Sequence, residues 1–156
     1  MNYRDFKPYS KISSLTLGGG GIGQVWGETT SEEAIKTVHS ALDHGINHFD
    51  VAPMYGKGEA ERIIGKSLNG LDADDLFFTT KCQLGTLPDT EVYDKLNDSL
   101  TRSLDNMKLE KVNLFLLHSQ LIEDHYKLYK FDEMRAKSAT TLSCFFNAAI
   151  PAFERL

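Results

Sequence analysis

The chain has 156 residues, 41% apolar and 25% charged, with a formal net charge of −5 and a pI of about 5.5. That length suits one domain with a real core, or a piece of a larger one. An acidic balance without a Lys/Arg cluster excludes a basic nucleic-acid-binding face. No run of about 18 apolar residues is present, which excludes a spanning helix. The segment Met1 to Lys7 has no apolar stretch of the secretory kind, so a cytoplasmic protein is expected. Cys82 and Cys144 stand far apart and in no metal-ligand spacing, and they read as two free thiols.

In chain order, Ile12 to Leu17 alternates and runs into four glycines, Gly18 to Gly21, as a strand ending in a glycine-rich loop. Thr30-Ser31-Glu32-Glu33 has the form of a capping box. Ala34, Ile35, Val38, Ala41 and Leu42 then recur at helical spacing up to a stop at His44-Gly45. Ile46 to Phe49 is a short strand ending at Asp50, with a polar, glycine-rich loop to about Gly58. Glu59 to Leu68 is a second helix, with Ile63, Ile64 and Leu68 on one face, closed by Asn69-Gly70. Leu76 to Thr80 is a third strand, ending at Lys81. Pro88-Asp89-Thr90-Glu91 opens a third helix carrying Val92, Leu96, Leu100, Leu104 and Met107 in register. Val112 to Leu117 is a fourth strand, ending at His118. A polar connection from Ser119 to about Thr140 holds Glu123-Asp124-His125 and Asp132-Glu133 and reads as a solvated loop. Leu142 to Ile150 is a last helix before Pro151.

Strands and helices thus alternate. Parallel neighbours need a crossover, which a helix supplies, so the pattern argues for an α/β protein with a parallel sheet. Two architectures fit: an open doubly wound sheet, and part of a (β/α)8 barrel, whose complete form needs about 250 residues.

The run Gly18 to Gly23 contains the spacing G-x-G-x-x-G after a strand. A dinucleotide fingerprint also needs a helix opening inside the motif, to hold pyrophosphate at its N-terminus. Here Gln24 to Thr29 intervenes before the cap, so a nucleotide-binding reading of this loop is disfavoured. The remaining readings are a flexible connection, or bare backbone that lets a ligand lie close to the strand end.

Asp50, Lys81 and His118 each follow an apolar run, and Tyr55 stands five residues after Asp50. Singly, each has an ordinary structural explanation. Together they matter, because the carboxyl ends of parallel strands lie on one side of such folds. A phenol is a weak acid at neutral pH, and a neighbouring ammonium favours its ionised form. Lys81 can provide that charge, Asp50 can pair with Lys81, and His118 can hydrogen-bond and orient a carbonyl. The set suits protonation of an oxygen as hydride reaches the adjacent carbon. It contains no activated Ser or Cys nucleophile and no metal-ligand cluster.

At this point the sequence resembles a known family. The segment Gly45-Ile46-Asn47-His48-Phe49-Asp50-Val51-Ala52-Pro53-Met54-Tyr55-Gly56-Lys57-Gly58-Glu59-Ala60-Glu61-Arg62-Ile63-Ile64-Gly65 is similar to the signature of the aldo-keto reductases, F-D-T-A-P-x-Y-G followed by S-E-x-x-L-G. Val51 stands where Thr is usual, and Ala60 where Ser is usual. Phe78-Thr79-Thr80-Lys81 and Leu116-Leu117-His118 fall where the family places its lysine and histidine. The Phe6 to Lys11 segment matches the short hairpin at the bottom of the family's barrel.

The resemblance implies a (β/α)8 barrel of TIM type that reduces aldehydes or ketones with NADPH, or with NADH, or oxidises alcohols with the oxidised cofactor. It implies Tyr55 as general acid, Lys81 as the partner that tunes it, Asp50 as the partner of Lys81, and His118 as the carbonyl-orienting residue. Gly20 and Gly21, with Asp50, would border the cofactor. No metal, nucleic acid or membrane is implied; the partner is a small carbonyl or alcohol. Residues 1–156 would then be a single incomplete domain, the N-terminal half of the barrel, truncated to about four β/α units with a short N-terminal hairpin. Most of the cofactor site would lie in the other half. The alternative is a non-catalytic half-barrel relic or interaction domain, prompted by the exposed edges that four parallel strands would leave.

Overall fold

The computed structural model describes residues 1–9, 11–125 and 138–156. Asp132 and Glu133 of the polar connection lie outside the described residues. The chain divides into two compact units: Met1–Thr80 with Arg102–Phe115, and Lys81–Thr101 with Leu116–Leu156.

The first unit opens with an antiparallel hairpin, β1 (Tyr3–Asp5) on β2 (Lys11–Ser13). The alternation from Ile12 to Leu17 therefore does not form one strand. Its first part belongs to the hairpin, and only β3 (Leu17–Gly18) joins the main sheet. The break has a local cause. Ser13 N–H donates to Asn47 Oδ1 (2.7 Å), Asn47 N–H donates to Ser13 Oγ (3.1 Å), and the Ser13 hydroxyl turns back onto the Leu15 carbonyl (2.6 Å). Leu15 is left exposed.

The glycine run is not an irregular loop. Gly19–Ile22 forms a helical turn, α1, and the long helix α2 (Ser31–Asp43) starts only after the capping box. In that box Glu33 N–H donates to Thr30 Oγ1 (3.2 Å) and Thr30 N–H donates to Glu33 Oε2 (3.0 Å), which satisfies two of the amides a helix start leaves bare. The Thr30 N–H and the Thr30 hydroxyl, which also donates to Glu33 Oε2 (2.8 Å), hold the Glu33 carboxyl below its ordinary range. Ala34, Val38 and Ala41 form the buried stripe of α2. Strand β4 (His48–Asp50) and helix α3 (Glu59–Ser67) follow. His39 Nε2 meets the Ser67 carbonyl at 2.9 Å, joining α2 to α3.

The main sheet takes its strands in chain order: β3, β4, β5 (Phe77–Cys82), β6 (Leu114–Leu117). β3–β4 and β4–β5 are parallel. Asn113 N–H bonds the Phe78 carbonyl and His118 N–H the Cys82 carbonyl, so β6 climbs in the same direction as β5. A doubly wound sheet reverses its order at a switch point. This order does not reverse, as expected of neighbouring units in a barrel. All of β5 is buried, as fits a parallel strand covered on both faces, and Lys81 lies within it rather than after it.

Under the sheet of the first unit, Phe49 and Phe78 stack at 5.7 Å among Val38, Ile63, Ile64 and Met107. His48 reaches Thr16 Oγ1 with Nδ1 (2.9 Å) and Thr79 Oγ1 with Nε2 (3.0 Å), linking β4 to β5 and to the residue before β3. Helix α4 (Asp89–Met107) buries Val92, Leu96, Ser99, Ser103 and Met107, while Leu100 and Leu104 are half-buried. Steps of four, three, four and four track the 3.6-residue turn more closely than the expected leucine row. In the second unit β7 (Leu121–Ile122) pairs in parallel with β8 (Thr140–Thr141). Thr140 Oγ1 donates to the Gly85 carbonyl (2.8 Å) and Thr86 Oγ1 to the Ala139 carbonyl (3.0 Å). The closing helical segment is not uniform: α5 (Leu142–Cys144) and α6 (Ile150–Phe153) flank a π-helical stretch, Phe145–Ala149. Cys82 and Cys144 are both buried and are not joined in a disulfide. No helix among the described residues is long and apolar enough to cross a membrane.

Candidate active site

Asp50 ends β4, half-buried, in register with Gly18 on one side and Thr79 on the other. The chain then turns sharply: Tyr55 N–H donates to the Ala52 carbonyl (3.0 Å), and the Tyr55 carbonyl accepts from Ala60 N–H (3.2 Å) at the start of α3. The half-buried Tyr55 ring lies against Gly19. A Cβ built on Gly19 would stand 3.1 Å from Tyr55 Cδ2, 2.9 Å from Val51 Cγ1 and 3.2 Å from the Asp50 carbonyl oxygen. Only a bare α-carbon admits all three. Asp50 and Tyr55 are thus gathered around the end of β3 within the first unit.

Lys81 and His118 belong to the second unit. Lys81 is 8% exposed, an unusual burial for an ammonium-bearing side chain. His118 directly follows β6, and its N–H donates to the carbonyl of Cys82, the residue after Lys81, at 2.7 Å. Ser119 Oγ next to it accepts from Leu84 N–H (3.0 Å) and Gly85 N–H (3.3 Å), fixing the loop that leaves β5. Each unit therefore carries one pair of the four residues. Of the two glycines expected beside a cofactor, Gly21 is exposed with open space at its α-carbon, whereas Gly20 is buried under the Trp26 ring.

Glu61 is a residue to which sequence reasoning gave no role. It is fully buried on α3, where Oε1 accepts from Thr80 Oγ1 (2.8 Å) and Oε2 from Asn106 Nδ2 (2.9 Å). It clamps the end of α4 and the Thr80 position of β5, the residue before Lys81. The signal was available: Glu61 shares a face with Ile64 and Leu68 at helical spacing, where a carboxyl is out of place unless bonded.

The aldo/keto reductase family profile matches residues 14–135. The chain belongs to the aldo/keto reductase family. Among curated relatives, L-galactose dehydrogenase of Arabidopsis thaliana is 30% identical over 110 residues, covering 69% of this chain and 34% of that protein. NADH-specific methylglyoxal reductase of Escherichia coli is 27% identical over 126 residues, covering 71% of this chain and 38% of that protein. Among solved structures, a thermostable aldo-keto reductase, Tm1743, in complex with the inhibitor epalrestat, superposes with a TM-score of 0.63 at 30% identity, covering 76% of this chain and 43% of the other. The chain spans about a third of the length of the curated relatives it matches. Its fold class is that of the (β/α)8 barrel, present in part.

Proposed function

We propose that this aldo-keto reductase chain supplies the proton-transfer side of an NAD(P)H-dependent reduction of a small aldehyde or ketone. The observation that carries the reading is the sheet itself: Asp50 ends one parallel strand, Lys81 sits at the carboxyl end of the next, and His118 follows the third, with Tyr55 in the loop after Asp50. Aldo-keto reductases act on small carbonyl substrates, and the name of the Escherichia coli relative joins that chemistry to a nicotinamide cofactor.

When bound, a nicotinamide cofactor would supply the hydride that the carbonyl carbon receives. Tyr55 gives its hydroxyl proton to the carbonyl oxygen, so the oxygen leaves as an alcohol rather than an alkoxide. In this proposal Lys81, buried in β5, stabilises the negative charge left on the Tyr55 oxygen, and Asp50 pairs with Lys81 and holds it in place. His118 holds the carbonyl oxygen toward the phenol. Gly21, exposed with open space at its α-carbon, would leave room for the cofactor, whereas Gly20, covered by Trp26, supports the cofactor reading less. On this reading the parts of the barrel that the relatives possess beyond the span matched here carry most of the cofactor contacts.

The test is NADPH oxidation with 4-nitrobenzaldehyde, with product alcohol measured in equal amount. Turnover falling by about 100-fold or more in Tyr55→Phe is the expected result. Turnover unchanged by that substitution would remove Tyr55 from the mechanism. A non-catalytic interaction domain is the second reading, and one observation favours it. Leu116 on β6, last in the strand order, is exposed among the described residues. Self-association in sizing that is abolished by Leu116→Lys, with no turnover, would select it.

A further inference from the structure

Helix α3 ends in a β-turn whose two middle residues, Asn69 and Gly70, are both exposed. Leu71 N–H donates to the Leu68 carbonyl (2.9 Å) and closes the turn. Gly70 takes φ 80°, the left-handed value that the third position of such a turn favours for glycine. The closing bond passes over Gly70. Among the described residues, no partner holds the Gly70 N–H or the Asn69 side-chain amide. The surroundings are open as well: a Cβ built on Gly70 would meet nothing within 4 Å. An amide nitrogen and the side-chain carbonyl carbon of the residue before it are thus both free to move and both open to water.

No other asparagine of the chain stands in this setting. There are seven, and only Asn69 precedes a glycine. Each of the others is followed by a residue of a strand or helix: Tyr3 in β1, His48 in β4, Asp98 and Met107 in α4, Leu114 in β6, and Ala148 in the π-helical stretch. Backbone committed to such an element is not free to fold back on the preceding side chain. Three of the side chains are tied down too: Asn47 bonds the Lys11 carbonyl, Asn106 bonds Glu61, and Asn113 bonds Phe78 N–H.

We propose that Asn69 is a site of spontaneous deamidation through the Gly70 nitrogen. That nitrogen gives its proton to water and attacks Asn69 Cγ. A C–N bond forms, the bond from Cγ to the side-chain nitrogen breaks, and the side-chain nitrogen takes up a proton and leaves as ammonia. Water then opens the cyclic imide at either of its carbonyls, giving aspartate or isoaspartate. Nothing is oxidised or reduced: a water molecule enters and an ammonia molecule departs. Ring closure within one chain is fast only where the two reacting atoms can meet in line, which singles out this turn. The product alters a defined place. Asn69 lines an open cavity of about 630 Å3 together with Arg62, Lys66, Lys108 and Asp105. The new carboxylate there is favoured by the basic side chains and opposed by the carboxyl end of α3.

The test is peptide mapping by mass spectrometry after incubation in heavy-oxygen water at mildly alkaline pH. The folded protein is compared with a sample unfolded in guanidinium. In the folded protein, the peptide holding Asn69 should take up one heavy oxygen and yield isoaspartate, at least about tenfold faster than any other asparagine peptide. Anion exchange should separate the product by its added negative charge. Gly70→Ala, whose new methyl group finds open space but a strained φ, should slow the conversion by about tenfold. Conversion of Asn69 only in the unfolded sample, or in neither sample, overturns the proposal. Another asparagine converting as fast in the folded protein overturns it too, as does an unchanged rate in Gly70→Ala. The wild-type comparison decides the matter even where that variant folds poorly.

Discussion

Replacing Glu61 with alanine perturbs the first unit at a point where the cost can be worked from the bonds. Glu61 is fully buried, and its two oxygens accept from Thr80 Oγ1 at 2.8 Å and Asn106 Nδ2 at 2.9 Å. Alanine leaves the buried Thr80 hydroxyl without its acceptor and takes the acceptor from the half-buried Asn106 amide. Each orphaned donor costs about 1–3 kcal/mol. The vacated volume adds to that. Relief of burying the carboxyl group subtracts from it. A net loss of about 3 kcal/mol is expected, a large share of the roughly 5–15 kcal/mol that holds a domain together. In urea, with a slope of about 1–3 kcal/mol per molar, the midpoint should fall by about 1–3 M. Glu61→Gln should lose only about 1 kcal/mol. Its carbonyl still accepts from Thr80, and the Asn106 amide can turn to offer its own oxygen to the new NH2 group. Parallel curves for wild type and Glu61→Ala, with midpoints within about 0.3 M, would refute this reasoning. They would mean that the carboxyl's desolvation cancels both bonds.

Three further outcomes are expected. Thr30→Ala removes the side-chain half of the α2 capping box and should cost about 1 kcal/mol in the same denaturation assay. The Glu33 carboxyl in that box is held below the ordinary carboxylate range by bonds from the Thr30 N–H and hydroxyl. Its stabilising contribution is therefore present above the unfolded value and is lost as pH falls through the folded one. Glu33→Gln should flatten the acid limb of the stability profile, and an unchanged limb would contradict the assignment. Gly65→Ala places a Cβ 2.5 Å from the Asn106 carbonyl oxygen, where α3 meets the end of α4. That backbone cannot yield cheaply, so a loss of about 1–3 kcal/mol is expected, against the gain that Gly→Ala brings in an open helix.

What the sequence disclosed follows from the range of the interactions involved. The α2 start was legible because Thr30 and Glu33 bond each other across three residues. The ends of β4 and α3, and the polar loop between them that carries Tyr55, were legible from equally local signals; the tight turn within that loop was not. The split of Ile12 to Leu17 was not, since it depends on Ser13 meeting Asn47, 34 positions away. The helical turn in the glycine run escaped because glycine has no propensity that announces it; the turn is held by packing on Val51 and Tyr55 and by the return of Trp26. Lys81 was placed one step outside a strand that in fact includes it, because a buried lysine in β5 runs against the pattern from which strands are read. Glu61 was visible as a carboxyl on an apolar face, but its partners Thr80 and Asn106 come from other elements and only the fold supplies them.

The most direct test of the account is whether the four strand-end residues act as one catalytic group. Tyr55→Phe, Lys81→Met, Asp50→Asn and His118→Gln are compared singly and in the Tyr55→Phe/Lys81→Met pair, using kcat for NADPH-dependent aldehyde reduction. Residues that share one proton transfer are strongly non-additive, so the pair should be no slower than its slower member within about threefold. Losses that multiply across the pair would show independent residues and contradict the account.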